Sequence, residues 1–112
     1  WGPGEEPLAT EVLAAGAGVL APPTSLDELA ALMAKARVVV CNNTGPMHLS
    51  VAVGAKTVAL FWKMPIDQWG HARAPHVMLD LTDEPGVDAM IDRVDEALAS
   101  SLDVAAAAEP RQ

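Results

Sequence analysis

A chain of 112 residues fits one domain, and its 51% hydrophobic content supports a packed core of modest size rather than a disordered chain. Fifteen acidic residues against seven basic ones give a formal net charge of -8, which argues against a nucleic-acid partner, because a phosphate backbone needs clustered Lys and Arg. No apolar run reaches the roughly 18 residues of a membrane helix and no signal-peptide pattern opens the chain, while Trp1 in place of an initiator methionine reads as a fragment of something longer.

The breaker-rich opening Trp1, Gly2, Pro3, Gly4 is followed by Glu5 and Glu6 and then by Pro7, which suits a first helical turn. Leu8, Val12 and Leu13 recur at helical spacing until Gly16 and Gly18, so a helix is expected over about 6 to 15. Val19, Leu20 and Ala21 make a short apolar strand ended by Pro22 and Pro23. Ser25 and Glu28 have capping-box spacing, and Leu26, Leu29, Ala30, Leu32 and Met33 form the stripe of a second helix running to about Ala36. Asp27 and Glu28 near its start and Lys35 and Arg37 near its end match the macrodipole.

A strand is expected over about 38 to 42, then a polar turn, a short helix over about 46 to 53, and a strand over about 57 to 61. Both strands are near-continuous apolar runs, as in a parallel sheet covered on both faces. Cys41, the single cysteine, has no partner for an internal disulfide and suits a small buried hydrophobe, which favours a reducing, cytoplasmic compartment. Trp62 to Pro75 reads as a long irregular loop, His76 to Leu79 as a further strand, and Val87, Met90, Ile91, Val94 and Leu98 as a last helix over about 86 to 100. Residues 103–112 are alanine-rich and read as a disordered tail after a domain over 1–102. Alternating helices and apolar strands give an α/β, Rossmann-like parallel sheet with flanking helices.

In such a sheet the ligand crevice lies where strand ends meet helix starts, which points to Asn43, Thr44, Gly45 and Pro46. Asn tolerates unusual backbone angles, Thr can cap, Gly admits a ligand to the backbone, and Pro presets the first turn. Together they can present N–H groups and a hydroxyl to a phosphate, or form an ordinary capped turn. His48 follows in the first helical turn, facing the same ligand or simply solvent. Glu5 and Glu6 stand at another helix start, where a carboxylate can hold a ribose or merely serve the dipole. Trp62 and Trp69, with Lys63 and Arg73, can line a sugar or base or pin the loop. His71 and His76 make no metal-ligand pattern with His48 or Cys41, so no metal site is expected. There is no GxSxG elbow, Walker lysine motif or GxGxxG.

The segments WGPGEE, NNTGPMHLSVAVGAKTVALF and the P-x-x-x-W-G of Pro65, Trp69 and Gly70 resemble, in order and spacing, glycosyltransferase family 9, the ADP-heptose:lipopolysaccharide heptosyltransferases. The resemblance covers about residues 1 to 80. It implies a GT-B fold of two Rossmann-like domains, with this chain as part of the C-terminal, donor-binding one. It implies that Thr44, Gly45 and His48 bind the donor diphosphate, that Asn43 occupies the donor-sugar position, and that Glu5 or Glu6 holds the ribose. Pro46, Met47 and Trp62 are then candidate pocket lining. The implied partners are an ADP-sugar donor and, through an N-terminal domain, a lipid A core acceptor at the cytoplasmic face of the inner membrane, with no cofactor and with peripheral membrane association only in the full-length protein. The implied reaction is inverting heptose transfer, with the catalytic base in the N-terminal domain and a phosphate-binding lysine upstream of the opening motif.

Two positions depart from the family pattern: Asn43 stands where the family usually carries Asp, and Trp62 where it tends to have glycine. The alternative to an enzyme part is therefore a truncated or decayed nucleotide-binding module without catalysis. In the strand order 3-2-1-4-5-6 a chain beginning at WGPGEE lacks strands 1 and 2, so apolar edges are expected to be left uncovered in the isolated chain.

Overall fold

A computed structural model describes residues 3–16, 18–71 and 73–108, with side chains through residue 102. Trp1 and Gly2 of the opening motif, and the last four residues of the expected tail, lie outside the described residues. The elements follow the order α1 (Glu6–Ala14), α2 (Leu26–Lys35), β1 (Val39–Asn42), α3 (Gly45–Ala52), β2 (Thr57–Phe61), α4 (Ile66–Trp69), β3 (Val77–Asp80) and α5 (Val87–Ala108).

The three strands form one open parallel sheet in the order β1-β2-β3. Val39 pairs with Thr57 and Asn42 with Leu60, while Val58 pairs with Val77 and Phe61 with Asp80. Helices flank this sheet, so the fold is an α/β, Rossmann-like partial domain. Successive side chains of β2 point to opposite faces, and two core clusters follow from that alternation. Val58 joins Leu79, Leu81 and Ala97 beneath α5, with Met90, Val94 and Leu98 packed against them. Ala59 and Phe61 join Met47 on the other face, with Cys41, Ile66 and Met78 at the margin. Phe61 and Val58 are fully buried, and each such side chain contributes about 1.5–3 kcal/mol through removal of apolar surface from water.

Local chemistry sets α2 as the sequence indicates. Ser25 Oγ accepts from Glu28 N–H at 3.2 Å, and Ser25 N–H donates to Glu28 Oε1 at 3.0 Å. The backbone donor of Ser25 and its side chain hold the Glu28 carboxyl below the ordinary carboxylate range. Pro7 lies in the first turn of α1, where its missing N–H is not needed.

Four expectations are corrected. Residues 19–21 form no strand: Val19 is 94% exposed, and an apolar trio becomes a strand only where a neighbour completes its ladder. β1 is not covered on both faces. It is an edge strand with alternating burial and Val40 exposed, because nothing among the described residues pairs with its outer side. The long loop after β2 contains α4, whose Ile66 anchors it to the core. Finally, α5 extends to Ala108 rather than ending near residue 100, consistent with the high helix propensity of alanine. No helix among the described residues is long and apolar enough to cross a membrane.

Apolar side chains stay exposed on α1 (Leu8 and Val12), on α2 and on α5 (Val87 and Ile91). Leu26 is 71% exposed and Leu32 50%, and a cleft of about 610 Å³ opens between Val19–Pro22 and α2.

Candidate functional site

Because all strands are parallel, their carboxyl ends share one edge of the sheet. There β1 runs into Asn43 and Thr44 and then directly into α3, while β2 runs into Trp62 and Lys63. The loops after β2 and β3 are tied together by Lys63 N–H donating to Thr82 Oγ1 at 2.8 Å. Thr82 N–H donates in turn to Asp80 Oδ1 at 2.9 Å. The Thr82 bonds, with the Arg93 charge nearby, hold the Asp80 carboxyl below its ordinary range. Arg93 also donates to the Asp80 carbonyl and pairs with Glu84 at 3.0 Å. This edge is therefore a braced platform.

Thr44 is the N-cap of α3 in extended conformation, but its side chain makes no capping hydrogen bond. The expected cap is thus a cap by backbone position only, and the exposed hydroxyl does not bond to the helix start. Gly45 and Pro46 begin the helix; Pro46 has no N–H and Met47 N–H donates to the Thr44 carbonyl at 3.0 Å, so the first turn offers an anion the Gly45 N–H and the positive end of the helix. A Cβ built on Gly45 meets nothing within 4 Å among the described residues, so none of them closes the space before this turn. Gly45 is not in the left-handed region, and neither is Asn43. The positive φ at this edge belongs to Lys63, at 53°. Asn43 is half-buried just beyond β1.

The structure brings Glu5 and Thr44 together. Both line one cavity of about 500 Å³, with Pro46 at its rim, Leu29 and Met33 of α2 on one wall and Val39, Val40 and Cys41 of β1 on another. Glu5 is the N-cap residue of α1 and Glu6 its first helical residue, so two helix starts converge on one space. Burial raises the Cys41 thiol above its ordinary pKa, which keeps it an uncharged wall residue rather than a thiolate. The larger cleft beside Val19 is mostly apolar, and its carboxylate, Glu28, is already bonded to Ser25. The cavity between Glu5 and Thr44 is the better candidate for a polar ligand.

Other expected residues lie apart from that cavity. Met47 is fully buried against Ala59 and Phe61, because the third position of α3 turns toward the sheet, so it does not reach a pocket surface. Trp62 is half exposed, with Lys63 Nζ 5.5 Å from its ring centre. His48 Nδ1 lies 2.8 Å from His71 Nε2, with the rings edge to face at 76° and 5.0 Å between centroids. No local pattern foretells this pair, since its members are separated by β2 and α4 and only packing brings them together. Among the described residues no group of three or more His, Cys, Asp and Glu gathers as a metal cluster would. His76 Nδ1 is buried without a hydrogen-bond partner among the described residues, and burial, then the nearby Arg73 and His71, lower its pKa.

The sequence profile of glycosyltransferase family 9 (heptosyltransferase) matches residues 1–103. Searches of curated proteins and of solved structures found no match.

Proposed function

We propose, since the chain belongs to glycosyltransferase family 9, the heptosyltransferase family, that it is the nucleotide-sugar-binding part of an enzyme moving heptose from ADP-heptose to a lipopolysaccharide core acceptor. The observation that carries this reading is the convergence of Glu5 and Thr44 on one cavity at two helix starts. A carboxylate accepts hydrogen bonds from both ribose hydroxyls, and the amino end of α3 with the Thr44 hydroxyl and open Gly45 receives the diphosphate. Glu6, exposed on the first turn of α1, is the second candidate for the ribose contact. In this reading His48 reaches the diphosphate from α3, whose start borders the cavity, Asn43 contacts the sugar, and Pro46 lines the cavity.

In this reading the reaction is an inverting transfer whose base comes from a second, N-terminal Rossmann-like domain, so this chain alone is inactive. The chain's own contribution is to the leaving group. As the bond between sugar and diphosphate breaks, negative charge grows on the diphosphate, and the Gly45 N–H, the positive end of α3 and the Thr44 hydroxyl stabilise it without having to reorganise. The acceptor is held by the other domain, at the cytoplasmic face of the inner membrane.

The test compares ADP, UDP and GDP as stabilising ligands of the full-length protein in thermal unfolding. ADP is expected to raise the midpoint more than the other two, because binding to the native state alone stabilises it. Glu5→Gln and Thr44→Ala are each expected to weaken ADP binding about tenfold, the scale of one lost hydrogen bond to a charged group. Equal or absent protection by all three nucleotides would overturn the reading.

A further inference from the structure

The His48–His71 contact assigns a role to a residue outside the expected site. At 2.8 Å between His48 Nδ1 and His71 Nε2, one proton lies between the two nitrogens, and neutral imidazole carries only one N–H. Two neutral arrangements satisfy that bond. In the first, His48 Nδ1–H donates and the outer nitrogen of His48, Nε2, is a bare lone pair. In the second, His71 Nε2–H donates, His48 Nδ1 accepts, and His48 Nε2 carries the proton. Only the second presents an N–H to an anion. A bare lone pair facing a phosphate oxygen would be repelled.

His71 is built to hold such a position. It follows α4 and Gly70, and Gly70 N–H donates to the Ile66 carbonyl at 2.7 Å. Ile66 is itself anchored beside Met47 and Phe61. A Cβ on Gly70 would stand 2.8 Å from Ile66 Cγ2 and from Ile66 O, so the chain passes too close to α4 for any larger residue. His71 is partly buried and its carbonyl accepts from Arg73 N–H at 2.7 Å. His48 sits in the first turn of α3, where side chains lean toward the helix start. Thus a fixed loop delivers one ring nitrogen to an exposed histidine beside the helix terminus.

We infer that His71 is a positioning residue that supplies the Nε2–H proton to His48 Nδ1, fixing His48 in the tautomer whose own Nε2–H donates to the donor diphosphate. The inference rests on the donor-site reading above for the identity of the anion. The tautomer itself can be read without any ligand. The same bond ties the loop carrying Trp62 and Trp69 to the helix that faces the donor. His71 touches no substrate and acts through His48.

Two measurements test it. Long-range proton–nitrogen NMR correlation of the protein at mildly alkaline pH, where imidazole is neutral, is expected to show His48 Nδ1 bare and Nε2 protonated. A protonated His48 Nδ1 would overturn the inference whatever the protein binds. Calorimetric titration with ADP then compares His71→Phe, which keeps a ring but has no donor, with His71→Gln, whose amide can donate to His48 Nδ1. His71→Phe is expected to lose about tenfold in affinity, the scale of one misdirected hydrogen bond to a charged group, and His71→Gln to recover most of it. Equal binding by wild type and His71→Phe overturns the positioning role while the donor-site reading stands. If wild type binds no ADP, the donor-site reading fails, and with it the diphosphate as the target of His48. The NMR result then still decides whether His71 sets the His48 tautomer.

Discussion

Ser50 Oγ and Thr57 Oγ1 lie 2.7 Å apart with both residues buried, which fastens the middle of α3 to the start of β2. Thr57 Oγ1 donates its own proton to the Ala55 carbonyl at 3.0 Å, so Ser50 must be the donor in the shared bond. The helix bearing the candidate site is thereby set against the strand beneath it by a chain of two hydrogen bonds that water does not reach.

That polarity predicts unequal effects of two conservative substitutions. Ser50→Ala removes one donor and leaves Thr57 bonded to Ala55, and should cost about 0.5–1.5 kcal/mol. Thr57→Val leaves the Ser50 hydroxyl buried without its acceptor and should cost more, about 1–3 kcal/mol. Urea unfolding of both variants measures the order, and a larger loss for Ser50→Ala would reverse the assigned direction of the bond.

Gly70→Ala should destabilise the protein by about 1–3 kcal/mol, the usual scale of overpacking. The added methyl meets a backbone oxygen at 2.8 Å, which cannot swing aside as a side-chain tip can. Relief requires the chain after α4 to move, and His71 should leave hydrogen-bond distance of His48. Urea unfolding gives the first effect, and loss of the His48 NMR signature gives the second.

Stability should fall as the solution is acidified below neutral, in part through His76. Its pKa is lowered in the folded chain, first by burial and then by the charges of Arg73 and His71. The native state therefore binds this proton less readily than the unfolded chain, whose histidine keeps the ordinary value of about 6.5. The contribution is fully present above that value and is lost as pH falls through the lower native value. His76→Leu removes this group while leaving the other histidines in place. Its urea midpoint should decline less than that of wild type between mildly alkaline pH and about pH 5, and parallel declines would contradict the assignment.

Much of the fold was legible because its signals act over short distances. β2 lies at 57–61 as its β-branched run indicates, and α2 begins at the capping box of Ser25 and Glu28. The hand-over from β1 to α3 around Thr44 was legible for the same reason, since Gly45 and Pro46 can open a helix and Asn42 ends an apolar run. α4 was missed because four residues carry too little periodicity to stand out from a loop.

The sequence alone determined the run of elements from α2 through β2, the last strand and helix, the acidic balance, the family resemblance and the presence of polar residues at two helix starts. Propensity, capping and side-chain periodicity need only neighbours within a turn or two, and they survive any arrangement of the whole. Tertiary structure decided that β1 is an edge strand, that Val19–Ala21 find no ladder, that Met47 belongs to the core and that Glu5 and Thr44 share one cavity. It also decided that His48 meets His71. These outcomes depend on which faces pack and which edges are paired, so no local pattern encodes them.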